Sequence, residues 1–175
     1  LQNNQKESLK KRRNLLDKFF DKLLNSMAFI AGFLLLFVTF SISYTIFSRM
    51  VGINSPVWIV QFNEYSLLWI TFLGTAWLLA RGKHVSIDLL TSRFSQQKKL
   101  YFKLFHGVLG TILCLIFSWY GYWVTLGQFK RGIIDVQAVD VPKYLILIII
   151  PIGFILLVMQ FVRQLIKTLK ELTHR

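Results

Sequence analysis

The sequence predicts an all-α membrane protein with four transmembrane helices and both termini on the cytoplasmic side. A basic amphipathic helix is expected at the N-terminus, and a short interfacial helix in the middle cytoplasmic loop. Three observations lead there. First, 54% of the 175 residues are hydrophobic and the mean hydropathy is +0.52, well above soluble domains. Second, the hydrophobic residues are clustered: 26 residues without Asp, Glu, Lys or Arg separate Lys22 from Arg49, 26 separate Lys103 from Lys130, and 19 separate Lys143 from Arg163. A helix of about 20 apolar residues crosses a hydrocarbon core of roughly 30 Å, and a fourth run, from Pro56 to Ala80, is broken only by Glu64. Third, Lys and Arg alternate along the chain, with 17 in the N-terminal, middle and C-terminal segments and 4 in the two remaining loops. Short basic segments stay on the cytoplasmic side, which places the termini and the middle loop inside.

Residues 1–22 are read as a cytoplasmic, interfacial segment. Leu9, Leu16, Phe19, Phe20, Leu23 and Leu24 fall near one helical face, with Lys10, Lys11, Arg13, Asp17 and Lys18 mostly opposite, the pattern of a helix lying in the headgroup region before the chain turns into the membrane. The apolar run after it is too long for a cleavable signal, so it stays as a span. The chain starts at Leu1 without an initiator Met, so a few residues are expected to precede it. The first span covers residues 23–47 and an outer loop residues 48–56. The second span, residues 57–80, starts after Pro56, whose missing N–H is harmless there, with Trp58 at interface depth. A cytoplasmic loop, residues 81–103, holds the expected interfacial helix from about Ser86 to Ser95. The third span, residues 104–129, carries Trp119, Tyr120, Tyr122 and Trp123 toward its outer end. An outer loop, residues 130–142, precedes the fourth span, residues 143–163, which Pro142 opens and Pro151 should kink. Residues 164–175 form a cytoplasmic tail.

The net charge of +13 fits a surface beside anionic phospholipids. No basic and aromatic interleaving outside the apolar runs supports nucleic-acid binding. On the third helix Gly107, Gly110, Cys114, Ser118, Gly121, Thr125 and Gln128 share an arc of about 80°. Such small residues let helices approach closely where apolar burial gives no drive to associate. A weaker stripe on the first helix comprises Ala28, Gly32, Thr39 and Ser43. Glu64 is the one acidic or basic residue well inside a span, which makes it a functional candidate. A hydrogen-bonded structural role is favoured over a proton or sodium pathway, because several midplane polar groups or a broken helix would be needed.

No catalytic residue, cofactor or metal site is expected. His84, His106 and His174 do not pair within spans for haem, Cys114 stands alone, and no nucleophile elbow or phosphate loop is present.

The segment Glu64-Tyr-Ser-Leu-Leu-Trp69-Ile-Thr-Phe-Leu-Gly74-Thr-Ala, followed by Arg81-Gly-Lys-His84-Val-Ser-Ile-Asp88, resembles the signature of the small membrane subunit of tripartite ATP-independent periplasmic (TRAP) transporters. The resemblance implies a bacterial inner-membrane complex. In it a periplasmic binding protein delivers an organic acid, of the sialic-acid or C4-dicarboxylate class, to a large membrane subunit. That large subunit carries the sodium and substrate sites, and the small subunit widens the stationary frame. Arg81, His84 and Asp88 are then expected to fix the middle loop or meet a partner or lipid headgroup. Glu64, Trp69, Gly74, Gly107, Gly110, Ser118 and Gly121 are structural or interface candidates. The alternative is a small multidrug-type, proton-coupled antiporter built on Glu64.

Overall fold

A computed structural model describes the backbone of residues 2–81 and 96–173 and the side chains of residues 18–81 and 100–169. The first helix, α1, runs without interruption from Gln2 to Met50. Its 49 residues are about 73 Å long at 1.5 Å each, so the expected turn between a basic segment and a separate span is absent. The cause is local: neither Gly nor Pro occurs before Gly32, and nothing else between Gln2 and Leu24 would break the hydrogen-bond ladder. From Lys18 to Met50 it is apolar and long enough to cross a membrane.

Helix α1 closes on Gly52, whose φ is +76°. The Ile53 N–H donates to Ser48 O at 2.8 Å and the Gly52 N–H to Arg49 O at 3.2 Å, a Schellman closure in which a left-handed residue satisfies the last carbonyls. Helix α2 spans Trp58–Ala80. The loop from residue 82 to 95, with the expected interfacial helix, His84 and Asp88, lies outside the described residues. Helix α3 spans Gln96–Arg131, starting well before the apolar run because the Gln- and Lys-rich lead-in contains no breaker. It ends as α1 does, with Gly132 at φ +59° and the Ile133 and Gly132 N–H groups donating to Gln128 O and Phe129 O, both at 3.2 Å.

The loop after α3 is more ordered than a plain connection. Strand β1, Ile134–Val136, pairs antiparallel with β2, Asp140–Pro142, with Asp135 opposite Val141. β-Branched Ile134, Val136 and Val141 suit a pleated backbone. The fourth apolar run is divided into α4, Lys143–Leu147, and α5, Ile149–Thr173, where one kinked helix was expected. Pro151 explains the position of the break. Its ring crowds the carbonyl four residues back, that of Leu147, and offers it no N–H, while the next bond, Ile152 N–H to Ile148 O, is stretched to 3.4 Å.

The helices contact one another in the order α1, α2, α5, α3. One core cluster joins Leu24, Ala76, Leu79, Cys114, Leu156, Leu157 and Phe161, and a second joins Ala31, Leu73 and Ile149. Helix α5 lies between neighbours, whereas the outlying α1 and α3 turn most of their length outward: 17% of the apolar window of each is buried, against 39% for Lys143–Leu169.

Candidate functional site

At the hairpin end, the first turns of α2 carry polar residues that hold the β-hairpin. Gln61 and Tyr65, four residues apart, share one face of the helix. The Gln61 side chain is 1% exposed and grips Val139 as a neighbouring strand would. Its Nε2 donates to Val139 O at 2.8 Å, and its Oε1 accepts from the Val139 N–H at 2.9 Å. The same Nε2 donates to the Tyr65 hydroxyl at 2.6 Å, and that hydroxyl donates to Asp135 Oδ2 at 2.6 Å. Gln137 adds a longer bond to the same carboxylate oxygen, 3.3 Å. A buried amide is costly unless paired, so this chain of bonds both satisfies Gln61 and fixes the loop over the end of α2.

At the opposite end, where α2 stops, Asn25 of α1 accepts from the Trp77 indole N–H at 3.0 Å and from Arg81 Nη2 at 3.4 Å. The Arg81 guanidinium stacks over the Trp77 ring, 4.8 Å from its centroid, a cation–π contact. Arg163 of α5 makes a forked pair with Asp21, at 2.5 Å and 3.3 Å, and so ties α5 to α1. Asp21, Leu24, Asn25, Trp77, Ala80 and Arg81 line a cleft of about 280 Å³. Arg81 is therefore held by its own chain.

Between these ends, the small residues of α3 face α5. A Cβ on Gly107 would fall 2.7 Å from the Leu165 side chain, and one on Gly110 2.7 Å from the Phe161 ring. On Gly121 it would lie 3.3 Å from Ile150 and 3.6 Å from Pro151, while Ser118 and Cys114 are buried. The tightest approach involves Gly153 of α5, where an added Cβ would come 2.6 Å from Cδ1 and 2.8 Å from Cβ of Phe72 in α2. Trp69 packs at the second core cluster. Gly74 has open space where its side chain would be, and Glu64 is exposed. The α1 residues Gly32, Thr39 and Ser43 also face outward.

Gln61, Tyr65, Asp135 and Gly153 were not among the residues that sequence reasoning singled out. The i, i+4 polar pair near the start of an apolar helix was the available signal for the first two. Gly153 had none, since only the path of α5 brings it to Phe72. Among the described residues no group of three or more His, Cys, Asp or Glu could hold a metal ion. Among the described residues the geometry positions loops and helices and brings together no reacting groups.

A family model described as the DctQ component of tripartite ATP-independent periplasmic transporters matches residues 38–171. No curated protein gives a significant match.

Proposed function

Because the chain belongs to the DctQ components of tripartite ATP-independent periplasmic transporters, integral membrane subunits without enzymatic activity, we propose that it is the scaffold of such a complex. In this reading it supports the large permease subunit in sodium-coupled uptake of an organic acid, of the sialic-acid or C4-dicarboxylate class, delivered by a periplasmic binding protein. Helix α2 is then the fourth span, beside the three segments apolar enough to cross a membrane. At 23 residues it is about 34 Å long, sufficient for the core of a bilayer. The basic segments put the Arg81 and Arg163 end in the cytoplasm of a bacterial inner membrane, beside anionic phospholipids, and the hairpin in the periplasm.

The observation that carries the scaffold reading is where the polar groups are satisfied. Among the described residues, side-chain bonds from helix to helix or from helix to hairpin cluster at the two ends, and the helices between pack through glycines, Cys114 and Ser118 against large apolar groups. A sodium or substrate site in a transporter instead gathers several polar groups and broken helices near the midplane. The antiporter alternative gains no support from the family match.

Reconstituted alone into proteoliposomes, the chain should carry no sodium-driven organic-acid flux. The large subunit and binding protein should transport poorly without it. Saturable uptake by this chain alone, lost in Glu64→Gln protein that remains folded, would refute the scaffold reading.

A further inference from the structure

The outward surface of α2 differs in chemistry from those of α1 and α3. Val60, Glu64, Leu67, Thr71, Thr75 and Leu78 are all exposed and, at 100° per residue, lie within an arc of about 80°. Glu64 is six residues beyond Trp58, the first residue of α2, which is about 9 Å along the helix. It makes no hydrogen bond or ion pair among the described residues. The Thr71 and Thr75 hydroxyls donate to the carbonyls of Leu67 and Thr71, at 2.8 Å and 2.6 Å, which leaves short side chains with their polar atoms turned into their own helix. Gly74 borders this arc, and a Cβ there would meet nothing within 4 Å. The surface is therefore low, able to admit a second backbone closely, with one carboxylate above it.

The apolar runs of the other outlying helices, α1 and α3, carry no carboxylate. Helix α1 exposes Gly32, Thr39 and Ser43 among Phe29, Phe33, Phe40 and Phe47, and α3 exposes Phe105 and Phe117. Bulky apolar side chains sit well against acyl chains, but a carboxylate left against lipid is costly and ionisable groups in membranes find polar partners. Small residues, for their part, favour contact with another helix.

We infer that this face of α2 is the docking surface for a transmembrane helix of the large permease subunit, which sets a Lys or Arg side chain against Glu64. The inference rests on the reading as a small TRAP subunit. Charge complementarity selects the partner's side chain: a cation at the depth of Glu64 neutralises both groups, and the low profile of Thr71, Gly74 and Thr75 lets the two backbones come close enough to pair them. The family match supplies a membrane partner large enough to cover the face.

A photo-crosslinking residue placed singly at Leu67 or Leu78, in the chain co-expressed with the large subunit of the same transporter, should give an adduct of the two chains. The same residue at Phe33 or Leu109 should not. Gly74→Leu and Glu64→Lys should each lower the large subunit recovered per folded chain at least tenfold, with thermal unfolding of the isolated chain in detergent unchanged, because Glu64 is exposed and a Cβ on Gly74 would meet nothing within 4 Å. Recovery of the large subunit without adducts at Leu67 and Leu78, or adducts there with a second copy of this chain, would overturn this surface and leave the subunit reading standing. Failure of the unaltered chain to bind the large subunit at all would overturn both.

Discussion

Gly153 and Gly107 both lie where two helices touch, yet they should respond differently to the same methyl group. At Gly107 the obstructing atoms are the end of the Leu165 side chain, which a rotamer change can move. At Gly153 they include Cβ of Phe72, which moves only with its backbone. Overpacking a close contact of that kind costs about 1–3 kcal/mol, so Gly153→Ala should lower the thermal unfolding midpoint in detergent clearly more than Gly107→Ala does. Equal midpoints would mean that α2 and α5 can separate freely. Gln61 offers a second test. Replacing it by Leu leaves the Val139 N–H and carbonyl without the amide that now meets both, a loss of about 1–3 kcal/mol where such groups are shielded from water. Amide hydrogen exchange across residues 133–142 should quicken at least tenfold in Gln61→Leu, while the α3 to α5 contact stays protected.

At the scale of elements, α3 and α5 are joined through glycine. Gly110 and Gly121 oppose Phe161, Ile150 and Pro151, whereas Leu109 and Ile116 are each 45% exposed. Added bulk should therefore act by face. Gly110→Leu and Gly121→Leu should reduce the yield of monodisperse protein, and Leu109→Phe and Ile116→Phe should leave it near that of the unaltered chain. Similar yields for all four would mean that α3 stands away from α5 in the bilayer. The hairpin follows the same logic on a smaller scale, since two three-residue strands are marginal alone and depend on the α2 side chains that receive them.

The whole molecule is a series of helices in which α1 and α3 are the outlying members, and the orientation proposed for it rests on the distribution of positive charge. In a Cys114→Ser background, single cysteines at Ser8, Ser92 and Thr173 should be shielded from an impermeant thiol reagent applied to intact spheroplasts. Cysteines at Ser55 and Ala138 should react. Labelling of Ser92 but not Ala138 would invert the topology. The order of contacts also bears on the proposed role, because helices in series present long flanks to a larger partner.

The apolar runs and the Glu64 to Asp88 signature were legible in the sequence, since run length against bilayer thickness and a local motif are properties of short stretches. The all-α membrane class and the family followed from them. Tertiary structure alone decided that Gln61 and Tyr65 meet a hairpin through bonds to residues far along the chain, that Arg81 is engaged by Asn25 and Trp77, and that Gly153 is pressed against Phe72. Composition and periodicity show which face of a helix is small or polar, but not which distant segment will cover it. That is settled only when helix faces choose among one another, by packing and by the need of each shielded polar group for a partner.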